Sequence, residues 1–297
     1  MPLTVPIRLL LCALATAAAL LAWAWASAGP AGEAATASKS ARGFTVATKT
    51  FKMSRPNDKR RLVVRCPGRT IPLGGGMKTS PPMSADGEGV YPHSYERLGV
   101  QSGWHITTVV YDPSPGSTRT RRVTLQVVCT RKLGKMTPPH VIKDVKPGQV
   151  KTAVARCPGR RHLIGGGFQR TNWVSRGGNY ATEARMVSSK RWRVTGSAFG
   201  GFGGELVSIG YCQRSSRPLL KTVTGSASLD RGETATAVSR KCPRRRRLVF
   251  GGFSSSPAGA LLIGPGTLRR NGSFAVTAHN RFGPAATLRA HGYCLKR

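Results

Sequence analysis

Three stretches of the chain share one pattern of apolar and polar positions. Each begins Cys-Pro, crosses a basic patch, and rises into two or three apolar residues. A glycine cluster follows, and a large apolar residue closes the pattern eleven positions after the cysteine. The second copy runs Arg156-Cys157-Pro158-Gly159-Arg160-Arg161-His162-Leu163-Ile164-Gly165-Gly166-Gly167-Phe168. The first reads Cys66-Pro67-Gly68-Arg69, then Ile71-Pro72-Leu73-Gly74-Gly75-Gly76-Met77. The third reads Cys242-Pro243, four arginines, then Leu248-Val249-Phe250-Gly251-Gly252-Phe253. Downstream of each copy, Trp104, Trp192 and Phe274 head runs that alternate with a period of two and are rich in β-branched residues, the pattern of a half-buried strand. Further strand-like runs end at Cys129, Cys212 and Cys294. No useful window carries a helical apolar period, so the chain is expected to be all-β.

Turn chemistry divides these runs. Asn271-Gly272 before Phe274 is a strong hairpin signal, and Ser102-Gly103 and Ser188-Ser189-Lys190 hold the same place. Upstream of the cysteines, Lys146-Pro147-Gly148-Gln149 and Asp230-Arg231-Gly232-Glu233 predict turns between two strands, with Arg55-Pro56-Asn57-Asp58 as the counterpart. The repeats therefore span 43–132, 137–214 and 219–297, linked through Thr137-Pro138-Pro139 and Ser215-Ser216-Arg217-Pro218. They are too long for propeller blades of about 40–50 residues. The expected architecture is three tandem small disulfide-stapled β-sandwich or barrel-like repeats.

Residues 1–28 have the zones of a signal peptide: Arg8, an apolar run from Leu9 to Ala24, and Ala26-Ser27-Ala28 before the cut. An uncleaved anchor is the alternative, with Trp23 and Trp25 at its outer end. Residues 29–42 read as a flexible linker. Setting aside Cys12 in the leader, six cysteines remain. One opener and one closer per repeat gives Cys66–Cys129, Cys157–Cys212 and Cys242–Cys294, as suits an oxidising compartment. Zinc usually requires closely spaced ligands such as C-x-x-C, which do not occur; neither metal nor cofactor is expected. Cys-Pro-Gly, Gly-Gly-Gly-Phe, the tryptophan strand and the closing Tyr-Cys together resemble tandem repeats in predicted secreted proteins of high-G+C actinobacteria. The resemblance covers nearly the whole mature chain. It implies architecture and compartment but no defined activity. The first repeat departs from it at Met77 and Val128, and the third at Phe250.

The charge narrows the partner. With 47 basic and 11 acidic residues the formal net charge is +36. That favours an anionic envelope polymer, an acidic membrane surface or nucleic acid, although a merely solubilising surface has the same sign. Arg69, Arg160-Arg161 and Arg244-Arg245-Arg246-Arg247, the last beside Arg240-Lys241, fall in one loop of the repeat. A loop of this kind presented three times suits an extended polyanion by avidity; the plain alternative is a solvated loop. No specific nucleic acid is expected, because aromatics are 7% of the chain and none is interleaved with the arginines. The oligomeric state is not indicated.

The glycine clusters lack the following helix that a phosphate loop needs. They read instead as bulges, or as places where the repeated tryptophan or phenylalanine comes close. No carboxylate recurs in all repeats, Asp86 and Glu88 read as turn and solvent groups, and the histidines are scattered. With neither Gly-x-Ser-x-Gly nor His-Glu-x-x-His present, the expected protein is a secreted, non-catalytic binding module. A hydrolase with a site assembled between repeats and a purely structural surface protein are the alternatives.

Overall fold

The alternating runs do become strands. A computed structural model describes residues 36–40, 43–54, 58–98, 103–111, 120–131, 136–171, 173–174, 177–281 and 283–296, and among these there is no helix. The predicted signal peptide, residues 29–35 and 41–42 of the linker, residues 55–57 of the first upstream turn and the hairpin residue Ser102 lie outside them. Within the predicted linker, Thr36–Ser40 is a strand, β1, laid against the edge of β2 (Phe44–Met53). Its small and β-branched residues fit a ladder as well as a spacer.

The first repeat continues with β3 (Lys59–Arg65), β4 (Ile71–Ser80), β5 (Gly89–Leu98), β6 (Gly103–Tyr111) and β7 (Arg121–Thr130). The second holds β8 (His140–Val145), β9 (Val150–Arg156), β10 (Arg161–Arg170), the two-residue β11 (Trp173–Val174), β12 (Gly177–Ser188), β13 (Arg191–Phe199) and β14 (Gly204–Arg214). The third holds β15 (Leu220–Leu229), β16 (Thr234–Val238), β17 (Arg246–Ser256), β18 (Leu262–Leu268), β19 (Phe274–His279) and β20 (Ala286–Lys296). The upstream turns form as expected. Gln149 N–H donates to the Lys146 carbonyl at 3.0 Å, and Glu233 N–H to Asp230 at 3.1 Å.

Pairing is the same in every repeat. The closing strand lies between the first and third, giving β2–β7–β4, β8–β14–β10 and β15–β20–β17. The Trp/Phe strand lies between the second and fourth, giving β3–β6–β5, β9–β13–β12 and β16–β19–β18. These triplets do not stay within one repeat: β5 pairs with β10, and β12 with β17. At the remaining junction β18 meets β4 through side chains. Thr267 Oγ1 donates to the Met77 carbonyl at 2.8 Å, and Leu268 N–H to Gln126 Oε1 at 3.1 Å.

The outcome is a propeller-like ring of four sheets, with four, six, seven and three strands. It replaces the three self-contained sandwiches or barrels expected from the sequence. The physical reason is that a repeat divides into two three-stranded groups: four of the six join a neighbouring repeat edge to edge, and the other two meet through side chains. Repeat length argued against blades only on the premise that one repeat supplies one sheet.

Three disulfides tie the groups together within each repeat: Cys66–Cys129, Cys157–Cys212 and Cys242–Cys294, with Cα atoms 5.7, 5.6 and 5.7 Å apart. Each opener follows the second strand and each closer sits in the last, so every bridge crosses from one triplet to the other.

The glycine clusters build the centre. Each third strand bulges just before the first cluster position, between Pro72 and Gly74, Leu163 and Gly165, and Leu248 and Phe250. The middle glycines lie under aromatic rings: a Cβ on Gly75, Gly166 or Gly251 would overlap Trp104, Trp192 or Phe274. Those rings are 2, 2 and 3% exposed. The last glycines take the backbone of the next junction, since a Cβ on Gly76, Gly167 or Gly252 would strike the carbonyl of Gly266, Tyr95 or Ala184. Only the first position differs between copies. Gly74 leaves room for Phe250, whose ring stacks on Tyr293 with centroids 4.4 Å apart. A second buried cluster gathers Tyr91, Tyr180 and Leu262, which hold one place in the three fourth strands, together with Met83.

Candidate functional site

The basic loop after each opening cysteine is a tight turn. Thr70, Arg161 and Arg246 N–H groups donate back to the Pro67, Pro158 and Pro243 carbonyls at 3.3, 3.2 and 3.1 Å. In the first two repeats the left-handed residue is glycine, Gly68 with φ 55° and Gly159 with φ 53°. The third repeat has Arg244 at that place and shifts the left-handed residue one position on, to Arg245 with φ 64°. Positive φ at the third residue of a turn favours glycine, and a side chain there is strained. Arg245→Gly is therefore expected to stabilise the protein by about 1 kcal/mol, read as a higher urea midpoint at unchanged slope.

The structure places Arg69, Arg160, Arg240, Lys241, Arg244 and Arg245 in solvent and Arg161 half-buried. The four-arginine run divides where β17 begins. The Arg246 guanidinium donates to the Leu219 and Cys294 carbonyls at 3.4 and 3.2 Å, and that of Arg247 lies 5.8 Å from the centroid of the Phe44 ring. Two of the four thus have partners within the fold.

Other cations come to the same ends that the loop pattern did not single out. Arg131, Arg214 and Lys296 each stand two places after the closing cysteine, and all are exposed. On the ladders Arg214 is the partner of Arg161 and Lys296 of Arg246, while Arg131 reaches the Gly68 turn. The hairpin turns between fourth and fifth strands arrive there too. Lys190 Nζ donates to the Gly159 carbonyl at 2.9 Å, and Cys242 N–H donates to Gly272 at 3.0 Å beside exposed Arg269 and Arg270. The recurrence Cys-x-basic was the available signal for the first group; for the hairpin residues only the fold supplies one.

Among the described residues, the ion pairs of Asp58, Glu88, Glu96 and Glu183 involve none of these cations. The turns are also within reach of one another. Gly74 and Gly165 both abut neighbouring repeats at the centre, and the turn arginine lies five positions earlier in the chain. At about 3.3 Å per residue, turns of different repeats lie within about 40 Å.

Other titratable groups are committed elsewhere. Glu88 is buried and ion-paired with Arg121, so the reading of it as a solvent group is corrected. Arg121 opens β7 beneath the loop and draws the carboxylate inward. Asp86 is exposed and accepts from Ser84 Oγ. Ser254 Oγ and His291 Nε2 are 3.0 Å apart. Burial and then the Arg185 charge push the His291 imidazole down to about 4, which leaves it a poor base near neutrality. Burial pushes the Glu183 carboxyl up. Hydrogen bonds from Arg193 and Thr195, with the Arg185 charge, outweigh this and hold it below the usual range.

His291 also predicts an acid limit. Its unfolded form takes up a proton below about pH 6.5, and the folded form only near the depressed value. The stability it contributes is complete above pH 6.5 and declines toward pH 4, by about 3 kcal/mol at most. His291→Gln should flatten that part of a pH–stability curve measured by urea unfolding.

Among the described residues no group of three His, Cys, Asp or Glu side chains converges as a metal site. Fold and site together define a disulfide-stapled all-β ring with a basic end on each repeat. No protein-family model and no curated protein matches the chain.

Proposed function

We propose that the protein is a secreted, non-catalytic module of the cell envelope or extracellular space. It holds anionic polymers (wall glycan, teichoic-type polymer or the surface of acidic lipid) through its repeated basic loop. The observation that carries this reading is the solvent-facing turn arginine present in all three repeats, Arg69, Arg160 and Arg245, with no carboxylate ion-paired to it among the described residues. Three turns within about 40 Å of each other can engage one extended chain, and linked weak sites gain affinity from effective concentration. The compartment is supported by the three bridges, by the leader-like amino terminus and by the resemblance to secreted repeat proteins. A hydrolytic reading would rest on Ser254 and His291, where the imidazole is depressed and Glu183 is already bound by two arginines.

The test is retention of the mature chain on purified wall and on a polyanion resin across a salt series. Retention should fall steeply with salt, as counterion release requires. The Arg244→Ser, Arg245→Ser double variant should elute at lower salt with a shallower dependence. Retention that ignores salt, or survives this variant unchanged, would sink the proposal.

A further inference from the structure

Charge at the basic ends is arranged in a way that a solvated surface does not require. Arg161 lies directly opposite Arg214 on the β10–β14 ladder, and Arg246 directly opposite Lys296 on β17–β20. Residues so placed have Cβ atoms about 4.5–5.5 Å apart, and like charges there destabilise a sheet. The first repeat has Thr70 in place of the first member but keeps the second, Arg131. An open concavity lies at the Arg161–Arg214 pair and another over the turn that leads into Arg246. One of about 230 Å³ is lined by Arg160, Arg161 and Arg214, and one of about 560 Å³ by the turn from Cys242 to Arg246.

We propose that each of these ends is a phosphate subsite, in which the exposed turn arginine (Arg69, Arg160 or Arg245) and the basic residue after the closing cysteine (Arg131, Arg214 or Lys296) close on one tetrahedral oxyanion of a phosphate-bearing polymer. This rests on the polyanion reading and narrows it. Two cations, one on the turn and one on the end of the neighbouring strand, approach a ligand from two directions. A tetrahedral phosphate offers separate oxygens to both, whereas one bidentate guanidinium occupies both oxygens of a planar carboxylate. A bound phosphate also offsets the repulsion among the cations gathered at the end, so the ligand should restore stability that the free sheet lacks. Placing mutually repelling groups at a binding site is a common exchange of stability for function.

The experiment uses the mature chain and its Arg214→Ser, Lys296→Ser double variant, both substitutions being at exposed strand ends. Inorganic polyphosphate, polygalacturonate and phosphatidylglycerol vesicles are the probes. Free of ligand, the variant should melt about 1–2 °C higher through relieved repulsion. Its half-saturation by polyphosphate should rise about tenfold or more, and by polygalacturonate less than about threefold. Equal loss for both polymers would overturn the phosphate assignment, and tighter binding to vesicles than to polyphosphate would overturn the polymer. If the double variant binds polyphosphate like the parent while the Arg244→Ser, Arg245→Ser variant does not, the subsite is wrong and the polyanion reading stands. If the parent binds none of the probes, the polyanion reading itself has failed.

Discussion

Gly166→Ala is expected to destabilise the protein by about 3 kcal/mol or more, although it adds a single methyl group. The new carbon would fall on the indole of Trp192, and that ring is held from several sides. Its Nε1 donates to the Gly167 carbonyl at 3.0 Å, and the Phe250 and Tyr293 rings lie 5.7 and 5.8 Å away. Overpacking a well-filled core usually costs about 1–3 kcal/mol and more where nothing can yield. Gly210→Ala provides the contrast. Its methyl would meet chiefly the Leu163 Cδ2 atom at 3.2 Å, a flexible side-chain end, and the loss should stay below about 1 kcal/mol. Urea unfolding of the two variants decides the matter; equal losses would contradict the ring-over-glycine account.

Removing a bridge should be at least as severe. The Cys157→Ser, Cys212→Ser variant reopens a loop with a sequence separation of 55 residues, worth about 4 kcal/mol in the chain-entropy model. The bridge also links two triplets that belong to different sheets, so its loss frees the sheets to shift against each other. The expected result is a fall of that size in unfolding free energy, or a failure to accumulate folded protein at 37 °C. The same comparison can be run on the parent chain with and without reductant. A loss under about 1 kcal/mol would mean that sheet packing alone sets the relation of the triplets.

The sequence made the strands, the cysteine pairing and the rings over the glycines legible, because each depends on spacing within one repeat. Alternation identifies which residues face inward but not which neighbour they face. The β5–β10 and β12–β17 pairings, and with them the ring, therefore could not be read. A second case is finer. Tyr211 and Tyr293 hydroxyls accept from the Arg97 and Met186 N–H groups, both at 2.7 Å. The first repeat has Val128 at their position, which reads as a lost feature. In the fold Gln126, two residues earlier and so on the same face of the strand, accepts from Leu268 N–H at 3.1 Å instead. Position-by-position comparison of the copies misses a substitution that moves along a strand by its own period. At the basic ends, Arg246 and Arg247 look like their neighbours in sequence, and only the start of β17 turns them toward carbonyls and a ring.

The inequality of the copies at Phe250 has a consequence of its own. A Cβ on Gly74 would overlap the Phe250 side chain, and one on Gly165 the Leu73 carbonyl, so neither of those copies can carry a side chain at the place Phe250 holds. A benzyl group in all three copies would collide with a side chain at one of these places and with backbone at another. The difference between the copies at this place therefore belongs to the packing of the assembly.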